Sequence, residues 1–226
     1  MNIRNDPFIK SATLVTAVLG GSAVSAQDVG QVTVGAGVST FGANLEAAYQ
    51  IDPSFRVRGV LAGLPGLDIL TDTFEEDGTT YTYDATVGAV ALLADYYPVN
   101  SGWRVSGGVM FNQTSFDANG VLSAGNQFTL DDGTVFDTGS VDISAQFVQE
   151  ISPMITTGYD YRFSNNWILS GEVGAIYTGG LTFEATSDNA LLQAEIDSDS
   201  DIEQARDDLA EFKFYPYLAI TVGYSF

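Results

Sequence analysis

Alternation with a period of two constrains this chain more than any other feature of it. In FGANLEAAYQI (41–51) the odd positions are Phe41, Ala43, Leu45, Ala47, Tyr49 and Ile51, against Gly42, Asn44, Glu46, Ala48 and Gln50. SFRVRGVLAG (54–63) sets Phe55, Val57 and Leu61 against Ser54, Arg56 and Arg58. WRVSGGVMFNQ (103–113) sets Trp103, Val105, Val109 and Phe111 against Arg104, Ser106, Gly108 and Asn112. WILSGEVGAIY (167–177) opposes Trp167, Leu169, Val173, Ala175 and Tyr177 to Ser170, Glu172 and Gly174, with Ile168 and Ile176 as exceptions. The closing YPYLAITVGYSF (215–226) puts Leu218, Ile220, Val222, Tyr224 and Phe226 opposite Tyr217, Thr221 and Ser225. Side chains of a strand point alternately to its two faces, so each stretch reads as a strand with two unlike faces.

The question is what each face touches. In a soluble sheet the apolar face is the core and the polar face meets water. In a membrane barrel the apolar face meets lipid and the polar face lines the interior. Three details favour the barrel. Aromatics stand at strand ends, where an interfacial girdle would sit: Tyr49, Trp103, Trp167, Tyr177, Tyr224 and Phe226. The polar face is rich in Gly, Ala, Ser and Thr, which suits a narrow interior. Basic residues are also placed unevenly. Beyond residue 26 only Arg206 lies outside the polar register of a strand, whereas Arg56, Arg58, Arg104, Arg162 and Lys213 fall within it. The same register holds Glu46, Asp84, Glu150, Asp160 and Glu172. Unpaired charges inside a barrel cost several kcal/mol each, on the order given by buried ion-pair studies. These residues are therefore expected to form an ion-pair network that plugs the lumen.

The start of the chain reads as a secretory signal. MNIRNDPFIK carries Arg4 and Lys10, SATLVTAVLGGSAV is apolar or small, and Val24 and Ala26 occupy the −3 and −1 positions of a cleavage site after Ala26. The apolar stretch is too short to span a bilayer as a helix, and nothing after it approaches the length needed. The domain reading is thus a signal peptide at 1–26 and a barrel domain at 27–226. An exported chain without a spanning helix either stays soluble or crosses a membrane as a barrel.

Connections alternate in length. DPS (52–54), VNSG (99–102) and SNN (164–166) are short turns, while about 65–79, 115–142 and 179–212 read as long acidic loops. That rhythm belongs to membrane barrels. The strands at 80–97 and 142–163 are noisier, keeping Asp84, Thr86, Thr156, Asp160 and Arg162 on the even side. In VGQVTVGAGV (29–38) the apolar positions are even, so parity switches at Ser39-Thr40. A tight hairpin there raises the count to eight strands. Pro153 and Pro216 stand about eleven residues before their strands' far ends, which marks where each strand enters the membrane.

With the leader ending AVSAQ, the repeated dyad strands and the closing YLAITVGYSF, the chain resembles the small outer-membrane β-barrel proteins of Gram-negative bacteria, the OmpA-type and OmpX-type class. The resemblance implies an all-β fold: an eight-stranded antiparallel transmembrane β-barrel with short periplasmic turns and long acidic extracellular loops, one of them holding a short helix. It also implies contact with outer-membrane lipid and lipopolysaccharide, and a final aromatic, Phe226, that addresses the chain to the barrel-assembly machinery.

Chemistry is sparse. The chain has no cysteine and no histidine, which excludes disulfides, Ser-His-Asp and Cys-His sites and the common zinc sites. No constellation points to an enzyme, and neither a cofactor nor a nucleic-acid partner is expected. With 29 acidic and 8 basic residues, the formal net charge is −21. DSDSD gives Asp197, Asp199 and Asp201 the 1-3-5 spacing of a calcium loop, but Ile202 stands where the turn needs glycine. The better reading is a helix capped by Ser200, with Glu203 completing a capping box. Divalent cations bridging the acidic loops to lipopolysaccharide are the looser expectation. FTLDDGTVFD (128–137) reads as a β-hairpin. The functional reading is an envelope-structural or surface-interaction role. A narrow porin-like channel for small cationic solutes is the alternative, followed by a secreted soluble β-sandwich.

Overall fold

The computed structural model describes residues 29–76, 79–99, 101–122, 128–129, 135–136 and 139–226. The signal segment and its cleavage residue Ala26 lie outside the described residues. Strands follow in the order β1 (Val32–Ser39), β2 (Gly42–Asp52), β3 (Phe55–Glu76), β4 (Thr79–Tyr96), β5 (Trp103–Asn112), β6 (Ser115–Leu122), β7 (Phe128–Thr129), β8 (Val135–Phe136), β9 (Ser140–Phe147), β10 (Ile151–Arg162), β11 (Trp167–Tyr177) and β12 (Leu181–Ser187). Helices α1 (Ala190–Ser198) and α2 (Ser200–Glu211) precede the last strand, β13 (Phe214–Ser225).

Eight of these strands close on themselves. The ring runs β1-β2-β3-β4-β5-β10-β11-β13, every neighbour antiparallel, and β13 returns to β1 through the register Thr33↔Ser225 to Ser39↔Ala219. Closure leaves no ladder edge in the barrel wall, which is the requirement lipid imposes. It also excludes the sandwich reading, which needs two open sheets. The parity switch is a two-residue turn: Ser39 pairs with Gly42 across Thr40 and Phe41. Gly42 takes a φ of +92°, a conformation that costs glycine little. The turn re-aims Phe41, which therefore departs from the outward parity of its stretch and is only 2% exposed, inside the barrel.

The long loops at 65–79 and 115–142 are corrected by the structure, because their described residues are almost all strand. β3 and β4 run on past the barrel wall after a register shift between Gly63 and Asp68. Gly63 has a φ of +68°, and a Cβ there would lie 2.2 Å from the Val87 carbonyl oxygen. Above that shift β4 pairs with β6, β6 with β9 and β9 with β12, making a five-stranded open extension over the loop end of the barrel. The stretch 142–163 is accordingly two strands, β9 in the extension and β10 in the wall. β7 pairs with β8 as the FTLDDGTVFD hairpin predicts, its turn lying outside the described residues.

Helices α1 and α2 pack on β12. One helix was expected; there are two, separated at Asp199. Asp199 caps α2, its Oδ1 accepting from the backbone N–H of Asp201 (2.8 Å) and Ile202 (3.3 Å), while Ser200 is already helical and is not the cap. Among the described residues no helix is long and apolar enough to cross a membrane.

Candidate functional site

The inward face of the barrel divides into two layers. On the side of the short turns β3 sends Arg56 and Arg58 inward two residues apart, as strand periodicity requires. β4 supplies Asp95, β5 Arg104, β10 Asp160, β11 Ser170 and Glu172, and β2 Glu46. Arg56 binds Asp95 through Nη2 (2.7 Å) and Asp160 through Nη1 (3.0 Å). Arg58 donates Nη1 and Nη2 to the two oxygens of Glu172 at 2.8 and 2.7 Å, Nε to Asp95 at 3.2 Å, and Nη1 to Glu46 at 3.3 Å. Arg104 reaches Glu172 with Nη2 at 3.1 Å and stands 3.6 Å from Asp160. Hydroxyls fill out the shell: Tyr97 donates to Asp160 at 2.7 Å, Ser170 donates to the same carboxylate, and Thr156 donates to Glu172.

Three guanidiniums and four carboxylates thus share one site, with Arg56, Arg58, Arg104, Asp95 and Asp160 at most 3% exposed. Such a cluster is tolerable only because nearly every charge meets several partners of opposite sign. The planar guanidinium suits the task, since its five N–H groups fork toward more than one carboxylate at once.

Toward the loop end the interior becomes apolar. Phe41, Leu93, Met110, Met154, Ile176 and Tyr217 form one buried cluster. Tyr215 joins Phe41 to Phe147, each ring centroid pair 5.4 Å apart. The two exceptions to the β11 alternation now have a cause. Ile168 and Ile176, 3% and 0% exposed, are interior filling.

The sequence-derived set separates on the structure. Glu46, Arg56, Arg58, Arg104, Asp160 and Glu172 come together. Asp84 does not, because it lies in the extension part of β4, accepting from Thr71 Oγ1 at 2.7 Å. Glu150 is exposed just ahead of β10: its carbonyl oxygen accepts from the Asn112 N–H at 2.8 Å, but its side chain lies beyond the buried cluster. Lys213 is exposed between α2 and β13, one residue before the strand's alternation begins. Arg162 stands nearer the short turns, its Nη1 3.4 Å from Gln31 Oε1. Asp95, absent from that set, is 0% exposed and touches all three arginines. The signal for it was Val90, Leu92 and Tyr96 alternating with Ala89, Ala91 and Asp95, hidden by an inward Leu93.

No family model matches the sequence, and no curated protein matches it either. Solved structures do. CarO2 of Acinetobacter baumannii superimposes with a TM-score of 0.55 at 23% identity, over 88% of this chain and 100% of that one. CarO of the same organism gives 0.55 at 20%, over 89% and 100%. The fold is that of an outer-membrane β-barrel. At these identities the likeness is one of fold and assigns no activity.

The outer surface of such a barrel is expected to be apolar, and here Val34, Leu45, Leu61, Leu92, Ile155, Leu218 and Ile220 are all exposed. At the short-turn end Trp103, Trp167 and Phe226 point outward, Trp167 meeting Tyr224 edge-on at 5.5 Å and Tyr224 meeting Phe226 at 5.0 Å. Tyr49 is exposed on β2 near the same end. Tyr177 sits at the loop end against Phe214, 5.3 Å away. Asp197, Asp199 and Asp201 are taken up by the helices: Asp197 accepts from Gln193 Nε2 at 2.8 Å and Asp199 is the cap.

Proposed function

We propose that this chain is an exported integral outer-membrane protein whose barrel is plugged and whose role is structural or in surface interaction, without catalysis. The observation that carries the reading is the reversed polarity of the wall. Large apolar side chains face outward around the ring, while Arg58 of β3 holds Glu172 of β11 across the ring inside. An eight-stranded barrel is just wide enough for side chains to fill, so one ion-pair layer and one apolar layer leave no aqueous path. In this reading the short turns are periplasmic, the extension and helices are extracellular, and Phe226 addresses the chain to the assembly machinery. Acidic side chains of α1 and α2 meet lipopolysaccharide through divalent cations.

A second reading, a narrow channel for small cationic solutes, draws on the extension. Asp84 lies directly opposite Asp117 on β6, and with Asp142 and Glu184 they line a cleft of about 150 Å³ above the mouth. Like charges placed opposite one another are destabilising unless a cation is near. Planar-bilayer recordings separate the two readings. The refolded protein is expected to give no stable steps, and steps well above those of an unrelated eight-stranded barrel would sink the plug. Migration of unboiled against boiled protein on a detergent gel tests membrane-barrel character itself.

A further inference from the structure

The outward face is not uniformly filled. Four strands place Trp103 (β5), Tyr159 (β10), Gly171 (β11) and Ile220 (β13) in one register row across the wall. In the next row Thr157 faces Val173, and Val173 faces Leu218. Gly171 contributes no side chain, and a Cβ built on it meets nothing within 4 Å. The result is a groove of about 560 Å³, floored by Gly171 and Thr157 and walled by Trp103, Val173, Leu218 and Ile220. That volume lies within the range of sites that hold drug-sized molecules.

Its rim is fixed. The Trp103 indole Nε1 donates to Thr157 Oγ1 at 2.9 Å, and Thr157 Oγ1 donates on to the Arg104 carbonyl oxygen at 3.0 Å. This chain satisfies a hydroxyl and an indole N–H on the lipid-facing side, where an unmet donor costs several kcal/mol. It also holds the indole in one place, so the groove is formed before anything enters it.

We infer that this groove binds one acyl chain of a phospholipid from the leaflet on the short-turn side. The inference rests on the membrane-barrel reading, which makes hydrocarbon the medium against this face. The groove is continuous with the exposed apolar belt, and its outward-facing side chains are apolar apart from Thr157, already hydrogen-bonded, and the tyrosine tip of Tyr159; Glu172, also of the lining, turns its carboxylate inward to Arg58. It begins beside Trp103, the first residue of β5 at the short-turn end. Trp and Tyr favour the level of the lipid headgroups, where a chain's glycerol end would sit. A smooth belt exchanges lipid freely, whereas a preformed groove lowers the cost of ordering the chain it takes.

The test uses the full-length protein extracted from membranes in mild detergent, with retained phospholipid read by native mass spectrometry. Gly171→Phe fills the floor, and Gly107→Phe is the matched control, since Gly107 is another exposed glycine whose Cβ direction is open. Wild type and Gly107→Phe are expected to retain a phospholipid that Gly171→Phe loses by about tenfold or more, as expected for excluding several methylenes. Equal retention by Gly171→Phe and wild type would overturn the proposal, as would a second copy of the chain held in place of lipid. Should Gly171→Phe fail to fold, Trp103→Ala, which removes the rim, must show the same loss. The gel-shift assay runs alongside: folded protein with a shift but no retained lipid refutes the groove alone, while no shift refutes the barrel reading beneath it.

Discussion

Arg58 and Glu172 grip each other across the barrel. Their strands, β3 and β11, stand four places apart in a ring of eight, and two parallel bonds of 2.8 and 2.7 Å join the guanidinium to both carboxylate oxygens. This fork-to-fork geometry is the strong form of a charge-assisted pair. Removing one partner leaves the other buried without its main compensation. Glu172→Ala is therefore expected to lower stability by about 3–5 kcal/mol. Urea unfolding in detergent micelles, followed by fluorescence of Trp103 and Trp167, measures it. Replacing both residues with apolar ones of similar volume, Arg58→Met with Glu172→Leu, should recover only part of the loss, because Glu46 and Arg104 each lose a partner as well.

Asp95 is the shared anion of the cluster, within 3.9 Å of a nitrogen of each of Arg56, Arg58 and Arg104. Asp95→Asn keeps the shape and removes the charge. It is expected to cost about 3 kcal/mol in the same unfolding assay. Asp84→Asn, on the same strand but in the extension, should stay within about 0.5 kcal/mol of wild type. A result with Asp84 as the costlier site would refute this division of β4.

The contrast between Asp95 and Asp84 shows what the sequence makes legible. In β2, β5 and β13 one face meets an apolar medium and the other a polar interior, so alternation is written in residue types. The hairpin at Ser39-Thr40 was legible for the same reason, because a parity switch moves every side chain to the other face. β6, β9 and β12 have no lipid to face, and polar residues such as Asp117, Asn119, Asp142 and Glu184 give no dyad contrast. β6 and β12 therefore read as loop, and most of β9 merges with β10 into one strand at 142–163. β4 joins both kinds of strand through the register shift opposite Gly63, so parity carried down from Asp84 misassigned its lower half. Lys213 failed for a simpler cause: it precedes β13, whose register opens at Phe214.

Gly158 supports the cluster by lacking a side chain. A Cβ there would lie 2.5 Å from Arg104 Nη1 and 2.6 Å from the Gly171 carbonyl oxygen. The backbone atom cannot retreat without breaking the β10–β11 ladder, and the guanidinium cannot without loosening its carboxylates. Gly158→Ala is expected to destabilise by about 1–3 kcal/mol. Gly107→Ala, outward and open, should be neutral or slightly stabilising because it only restricts the unfolded chain. Thermal loss of the folded band on an unboiled detergent gel reports both.

The helix pair over β12 offers a local test that leaves the barrel untouched. Asp199 satisfies two orphan N–H groups at the start of α2, and among the residues of α2 none is buried. Asp199→Ala should cost the helix about 1 kcal/mol. That corresponds to roughly fivefold faster hydrogen exchange of the α2 amides, with exchange in the barrel strands unchanged. Ser200→Ala should slow exchange slightly or leave it alone, since Ser200 is within the helix and alanine is the better helix former. If Asp197, Asp199 and Asp201 instead served calcium, added calcium would slow α2 exchange in wild type and not in Asp199→Ala. A cap already satisfied by backbone N–H groups has its carboxylate oxygen in use, so the expected outcome is the same exchange with and without calcium.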